Sequence, residues 1–190
     1  MPEPIRVDLP STKAALAHLR AGDAVLLYGD VFTARDATHQ RLVGELDRDG
    51  RLPYGLKGQV LFYAGPTPAA AGRPVGSVGP TTAKRMDAWT PRLLDAGIAA
   101  TIGKGARAAE VRDACARDGA VYFAAVGGAA ALLATHVVEA EPVAYPELGA
   151  EALVRMRLDA FPAFVAIDAD GCDLYATAPE AWRRKSEESA

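Results

Sequence analysis

The feature that most constrains the fold is an alternation of short apolar runs with longer amphipathic segments. The runs GQVLFYAGP (58–66), IAATIGKG (98–105) and AVYFAAVGG (120–128) each end in a glycine turn, which is typical of buried strands. Segments with helical periodicity separate them, such as ATHQRLVGELDRDG (37–50) and AAEVRDACARDG (108–119). This alternation predicts one α/β domain.

Turn residues lead to further local predictions. Within AVLLYGDVFTARD (24–36), Gly29–Asp30 splits two apolar runs and predicts a tight hairpin. We predict a short helix around Glu151 to Met156 and a second hairpin that turns at Asp170–Gly171. The helical region after the GPTTAKRMD segment (79–87) is predicted to be interrupted before Pro91, because proline breaks a helix interior.

Composition limits the classes of function. The chain has 190 residues, half of them hydrophobic, which is enough for one well-buried core. Its formal net charge of -3 provides no overall attraction for nucleic acid. The longest apolar stretch (120–138) contains two glycines and favours a strand, a turn and a buried helix over a membrane span. We therefore expect a cytoplasmic protein with no nucleic-acid or membrane partner.

The N-terminus and the cysteines agree with that location. MPEPIRVDLP (1–10) lacks the apolar core of a signal peptide. Cys115 and Cys172 match no metal-ligand spacing and do not suggest a disulfide framework, which fits a reducing compartment. We predict no metal site in this chain.

Four predicted strand ends share one feature, a glycine or polar turn. In three of them the turn includes a cationic side chain, and in the fourth it offers only backbone N–H groups. They are Arg35 in TARDATH, Arg85 in GPTTAKRMD, Lys104 in IGKG, and the turn Gly127–Gly128. In α/β sheets, ligands bind outside the carboxyl ends of strands, where backbone N–H groups favour anions. Two or three such cations suit a small dicarboxylate. Phosphate is the alternative ligand, although IGKG lacks the spacing of a P-loop.

Each of these residues also has a purely structural interpretation. Arg35 beside an aspartate is commonly a surface or capping group, and Lys104 is commonly an exposed turn lysine. His39 follows Arg35 by one helical turn and is by default a half-buried polar residue. Thr81, like the threonine after it, can cap a helix. Arg85 would then lie in the first helical turn, where a cation is unfavourable unless an anion is bound beside it.

Six segments occur in a fixed order between residues 5 and 176, namely GDVFTARDATHQRL, GQVLFYAGPTP, VGPTTAKRMD, IGKG, VGGAAAL and DAFPAFVAIDADG. Together they resemble the β-subunit type chain of iron–sulfur hydro-lyases, a family that includes class I fumarate hydratase and L(+)-tartrate dehydratase. The resemblance implies a single swivelling β/α/β domain with a mixed sheet and flanking helices. We accordingly assign residues 1–176 to this domain and residues 177–190 to a charged C-terminal tail that frays.

The resemblance also implies a function. This chain would be the β subunit of a two-subunit class I fumarate hydratase, active only with an α subunit whose cysteines hold a [4Fe–4S] cluster. The alternatives are the β subunit of L(+)-tartrate dehydratase and a non-catalytic dicarboxylate-binding module. By motif, Arg35, Arg85 and Lys104 would bind the substrate carboxylates. Thr81 would lie close to the reacting carbon, and His39 has the position of a catalytic acid or base. The sequence leaves open which of these two handles the proton.

Overall fold

The computed structural model describes residues 3–187 and confirms an α/β fold with a mixed sheet. Seven strands and six helices alternate along most of the chain, with two short 3₁₀ helices at Ala83–Met86 and Pro146–Glu151. The elements are β1 (Ile5–Leu9), α1 (Lys13–Leu16), β2 (Ala24–Thr33), α2 (Asp36–Asp49), β3 (Val60–Phe62), α3 (Thr90–Asp95), β4 (Ala100–Gly103), α4 (Ala109–Asp118), β5 (Val121–Ala124), α5 (Ala130–Ala134), β6 (Val137–Ala144), β7 (Leu153–Ile167) and α6 (Leu174–Glu187). Within the described range, no helix is long and apolar enough to cross a bilayer.

Strand pairing closes most of the sheet into a ring. Strands β1 to β5 pair in parallel with their neighbours in chain order. Strand β7 runs antiparallel to β2, β5 and β6. Because β7 pairs with both β2 and β5, the strands β2, β3, β4, β5 and β7 form a continuous circuit of hydrogen-bonded neighbours.

The strands β3 to β5 are buried on both faces. On β3, Val60 and Phe62 belong to an apolar cluster shared with β1, β2 and β7. Leu61 on the same strand and Tyr63 just after it belong to a second cluster, shared with α2, α3 and α4. Burial on both faces explains why these strands are continuous apolar runs in the sequence instead of alternating ones.

The hairpin predicted at Gly29–Asp30 is wrong, because β2 continues straight through these residues. Gly29 has φ 104° and follows a bulge in the pairing with β7. A Cβ atom at Gly29 would lie 1.9 Å from the carbonyl oxygen of Leu9 on β1. The glycine therefore allows close approach of a neighbouring backbone and does not form a turn.

The helix predicted around Glu151 to Met156 is also wrong, since most of this segment is the start of β7. Long-range pairing outweighs the local pattern there, because β7 pairs with β2 from Val154 opposite Thr33 to Phe164 opposite Ala24. The interruption of the helical region before Pro91 is confirmed, because the 3₁₀ helix and α3 are separate and Pro91 lies in the first turn of α3.

The second predicted hairpin is half right. The chain does turn after β7, where the Asp168 carboxylate accepts hydrogen bonds from the backbone N–H groups of Asp170 and Cys172 at 3.0 and 2.9 Å. It then enters α6 instead of a strand, because the Asp173 carboxylate accepts a hydrogen bond from the Tyr175 N–H and caps the helix. Helix α6 covers most of the tail predicted to fray, and residues 188–190 of that tail lie outside the described residues.

We expect Gly29→Ala to destabilise the fold by about 3 kcal/mol or more, because the new methyl group meets the Leu9 backbone at a strained φ. The matched control is Gly44→Ala in the middle of α2, where a Cβ has nothing within 4 Å. That control should stabilise the protein by about 0.5–1 kcal/mol. Urea unfolding of both variants measures the difference, and equal stabilities would contradict the close contact.

Candidate active site

The carboxyl ends of β2, β3, β4 and β5 are followed by the residues that the sequence singles out. Arg35 follows β2, and a Cβ at Gly65, after β3, would lie 2.7 Å from its Nη1 atom. Lys104 follows β4, and a Cβ at Gly127, after β5, would lie 3.5 Å from its Nζ atom. Two of the predicted cationic side chains, those of Arg35 and Lys104, therefore pack directly against glycines at this edge of the sheet.

Thr81 is fixed to the same edge by its backbone. Its N–H donates to the Tyr63 carbonyl at 2.7 Å, and its carbonyl accepts from the Lys104 N–H at 3.2 Å. The Ala83 N–H in turn donates to the Lys104 carbonyl at 2.9 Å. The half-buried Thr81 thus lies directly beside the backbone of Lys104.

The expected helix start in the GPTTAKRMD segment (79–87) is only a short 3₁₀ helix, Ala83–Met86. Thr82 occupies its N-cap position without a side-chain hydrogen bond, and Thr81 lies before the cap. The prediction that Arg85 opposes a helix dipole is therefore wrong, since so short a helix has little macrodipole.

Arg85 is placed against the first residue of α2. Its Nε donates to Asp36 Oδ1 at 3.0 Å, and its Nη2 lies 2.8 Å from Oδ2 as an ion-pair contact outside hydrogen-bond geometry. Half of the Arg85 side chain (49%) remains exposed. The positive end of α2 stabilises the Asp36 carboxylate, and the ion pair places Arg85 at the N-terminus of this helix, whose N-cap residue is Arg35.

The guanidinium of Arg35 has only a long ion-pair contact within the protein. Its Nη2 lies 3.4 Å from Glu151 Oε1, beyond a good hydrogen bond, while Glu151 Oε2 accepts from the Ala37 N–H at 2.8 Å. The Nε of Arg35 is buried and has no hydrogen-bond partner among the described residues. That buried nitrogen is not accessible to a ligand, but 24% of the side chain is exposed and its contact with Glu151 is long, so the guanidinium retains donor capacity for an anion.

His39 lies behind Arg35 and is fully buried. Its Nδ1 lies 2.8 Å from the Arg35 carbonyl, so this nitrogen carries the proton and donates. Burial is the main effect that lowers the pKa of His39, to about 4, and the positive charge of Arg107 lowers it further. The hydrogen bond to the Arg35 carbonyl acts in the opposite direction and only partly offsets these effects. The ring is consequently neutral near pH 7 and is not open to solvent. Its predicted role as a catalytic acid or base stays a prediction.

A buried arginine that the sequence analysis did not predict lies below these residues. Arg107 Nε donates to Asp87 Oδ1 at 2.6 Å and Nη2 donates to Thr90 Oγ1 at 2.9 Å. The guanidinium centre lies 4.7 Å from the centroid of the Tyr122 ring and 5.2 Å from that of Tyr63. No sequence pattern marks Arg107, because its ion-pair partner lies 20 residues earlier in a different loop.

The described residues do not fit a metal centre or an iron–sulfur cluster. Within residues 3–187, no three His, Cys, Asp or Glu side chains are grouped so that they could hold a metal ion. The chain has two cysteines, fewer than the thiolates that a cluster needs. Burial also raises the pKa of the Cys115 thiol to about 12, so this group stays protonated near pH 7.

The mixed α/β fold is the one expected for the family that the six sequence segments resemble. The chain belongs to the fumarase C-terminus family, whose model matches residues 2–178. The resemblance stated from the six segments is thereby confirmed.

Individual relatives fall into two groups. The chain is 37% identical over 179 residues to the anaerobic class I fumarate hydratase of Escherichia coli, covering 91% of this chain and 33% of that protein. It is 36% identical over 177 residues to fumarate hydratase 2 of Leishmania major, covering 90% of this chain and 31% of that protein. It is 37% identical over 166 residues to the L(+)-tartrate dehydratase subunit beta of Escherichia coli, covering 85% of this chain and 81% of that protein. The chain thus spans about one third of the fumarate hydratases and most of the tartrate dehydratase subunit.

The burial of His39 predicts a pH dependence of stability. Below pH 6.5 the unfolded chain binds a proton that the folded chain does not accept until about pH 4. The contribution of His39 is therefore fully present above pH 6.5 and is lost between pH 6.5 and 4. It amounts to about 3 kcal/mol.

We expect His39→Gln to remove this part of the pH dependence, while His18→Gln, at an exposed histidine, leaves it unchanged. Urea unfolding at several pH values between 7 and 4 measures it for the three proteins. Parallel curves for the unmodified chain and His39→Gln would show that His39 does not titrate as a buried neutral group.

Proposed function

We propose that this chain is the β subunit of a two-subunit class I fumarate hydratase, which hydrates fumarate reversibly to malate together with an α subunit. The observation that carries the proposal is the placement of Arg35, Thr81 and Lys104 after parallel strands at one edge of the sheet, with Arg85 paired to Asp36 next to Arg35, in the order expected for the family. A separate β subunit is supported by the match to most of the L(+)-tartrate dehydratase subunit beta.

Arg35, Arg85 and Lys104 would bind the two carboxylates of the substrate. The Arg35 side chain is 24% exposed with only a 3.4 Å contact to Glu151, and Arg85 is half exposed, so both have donors to offer. The guanidinium fork matches a carboxylate with two parallel hydrogen bonds. Lys104 would add a compact charge from the next strand end.

The same cations would stabilise the transition state. Hydration of fumarate places a proton on one carbon and hydroxide on its neighbour. As hydroxide adds to one carbon, negative charge develops at the carbon that is then protonated and is spread into the adjacent carboxylate, where fixed cations lower its energy. Because the cations are held by the protein before the reaction, little reorganisation is needed when the charge develops.

Thr81 is the better candidate for contact with the reacting carbon. It is half-buried at the open edge, whereas His39 is fully buried behind Arg35. A threonine hydroxyl is a weak base and needs activation by neighbouring groups, which the nearby cations would supply. His39 would then act through Arg35, whose backbone carbonyl accepts its Nδ1–H.

The cofactor and the partner belong together in this proposal. A [4Fe–4S] cluster bound by the α subunit would supply an iron that activates the hydroxyl as a Lewis acid. Since the described residues of this chain do not fit such a cluster, we assign it to the partner and derive no step through it. The assembly would be a cytoplasmic hetero-oligomer, in line with the absence of disulfides between Cys115 and Cys172, both of which are free thiols.

The β subunit of L(+)-tartrate dehydratase is the second candidate. The match over 81% of that subunit favours it, whereas DAFPAFVAID (159–168) resembles fumarases more closely. Tartrate carries one hydroxyl more than malate, and only a site that hydrogen-bonds this group discriminates strongly. A non-catalytic dicarboxylate-binding module would use the same cations without turnover.

Coexpression with a candidate α subunit under anaerobic conditions separates these candidates. We expect the pair to hydrate fumarate and each isolated chain to be inactive. Dehydration of tartrate without activity on fumarate or malate would support the second candidate. Dicarboxylate binding without turnover in the cluster-loaded pair would leave only the binding module. Hydration of fumarate by this chain alone, free of iron, would contradict the two-subunit proposal.

We expect Arg85→Lys to lower kcat/KM of the assembled enzyme by about 10- to 150-fold, because one charge-assisted hydrogen bond of the guanidinium fork is lost. The free energy of unfolding should change by no more than about 0.5 kcal/mol, since the ion pair with Asp36 is partly exposed.

The control for this substitution is Arg112→Lys, at an exposed arginine of α4 that pairs with its neighbour Asp113. It should leave both kinetics and stability unchanged. Steady-state kinetics and thermal melting are measured on the same preparations. An unchanged kcat/KM for Arg85→Lys with an intact cluster would remove Arg85 from the substrate site.

A further inference from the structure

We propose that Arg107 is a positioning residue, whose buried guanidinium fixes two loops relative to each other. One is the loop that carries Thr81 and Arg85 (residues 79–87), and the other begins at Lys104 (residues 104–108). The inference rests on the proposed function, because it concerns where these loops present their groups to a dicarboxylate. Arg107 itself would not touch the substrate, because its side chain has no exposed surface.

Arg107 holds the first loop through Asp87 and through Tyr63, which follows β3. Asp87 directly follows the 3₁₀ helix that contains Arg85, and its Oδ1 lies 2.6 Å from Arg107 Nε. The ring of Tyr63 lies beside the guanidinium, and the Tyr63 carbonyl accepts the Thr81 N–H at 2.7 Å. Both ends of the functional segment 81–85 are therefore connected to the same buried cation.

Arg107 holds the second loop through Tyr122 and through the same aspartate. The Tyr122 ring lies 4.7 Å from the guanidinium centre, and its hydroxyl donates to the Gly105 carbonyl at 2.9 Å, next to Lys104. Asp87 Oδ2 accepts the N–H of Ala108, the N-cap of α4, at 2.7 Å. Asp87 thus ties the end of the first loop to the second loop, with Oδ1 on Arg107 and Oδ2 on Ala108.

The chemistry of this network favours positioning over stability alone. A buried ion pair is a weak source of stability, and apolar residues of similar volume often replace one without loss. Its directional hydrogen bonds instead define one arrangement of the groups that they join. The planar guanidinium can contact Asp87, Thr90 and two aromatic rings at once, which a lysine ammonium cannot reproduce.

Two variants of the full chain test the inference. Arg107→Lys keeps the charge but loses the fork and the stacking. The double variant Arg107→Met with Asp87→Asn removes both charges, so that no unpaired charge is left buried, and it retains an acceptor for the Ala108 N–H. Arg112→Met, at an exposed arginine in α4, is the matched control.

Three measurements are made on each protein. Amide hydrogen exchange is followed at Ala83 and Lys104, whose N–H groups join the two loops, and at Val121 in the strand β5. Fumarate binding is followed by NMR titration of the isolated chain, and thermal melting reports global stability. The exchange measurement needs no ligand, so it remains informative whatever the titration shows.

For both variants we expect exchange at Ala83 and Lys104 to rise at least tenfold while exchange at Val121 stays close to that of the unmodified chain. The fumarate Kd should rise about tenfold, which corresponds to the loss of one charge-assisted hydrogen bond. The control should match the unmodified chain in all three measurements.

The inference is overturned if exchange rises equally at all three amides, or if exchange at Ala83 and Lys104 and the Kd are unchanged. The first result would make Arg107 a contributor to global stability alone, and the second would show that Arg107 does not position the loops. If the double variant does not fold, Arg107→Lys decides by the same criteria. If the unmodified chain binds no fumarate, that result counts against the proposed function, and the exchange pattern still decides the positioning role.

Discussion

The pairing of β7 with both β2 and β5 is the constraint on which the rest of the structure depends. It joins the two ends of a parallel series of strands and closes them into a ring. Because β2 to β5 are parallel, their carboxyl ends lie at one edge, and the loops that follow them carry Arg35, Thr81 and Lys104. If β7 did not bridge the ring, β2 and β5 could separate, and the cations on their loops would separate with them.

A layer of polar contacts lies between this ring and the open edge. Tyr63, just after β3, and Tyr122, within β5, lie on the face shared with the helices, and their hydroxyl groups contact Arg107 and Gly105 respectively. Such a layer restrains the loops because a buried polar group that loses its partner is costly. Loops that would otherwise be mobile are therefore held by the same hydrogen bonds that satisfy the buried groups.

Much of this arrangement follows from the sequence, for a simple reason. Parallel strands that are buried on both faces are continuous apolar runs, and each ends at a glycine or polar residue, so the positions of Arg35 and Lys104 relative to strand ends can be predicted. The wrong predictions involve contacts between distant parts of the chain. Gly29 resembles a turn residue until Leu9 is placed beside it, and the segment after Glu151 resembles a helix until β2 is placed beside it. Arg107 is missed for the same reason, since only the folded chain brings Asp87 and two tyrosines around it.

The three ion pairs near the edge differ in a way that suits the proposed function. The pair Arg107–Asp87 is buried and short, at 2.6 Å, whereas Arg85–Asp36 is half exposed and Arg35–Glu151 is separated by 3.4 Å. A partly exposed ion pair contributes about 0–1 kcal/mol, while a charge-assisted hydrogen bond to a bound carboxylate contributes about 1.5–3 kcal/mol. A dicarboxylate can therefore gain contacts with Arg35 and Arg85 at little expense to the protein. The buried pair cannot be exchanged in this way, because removing one partner costs about 3–5 kcal/mol. The cations that would meet the substrate are thus free to change partners, and the cation that holds their loops is not.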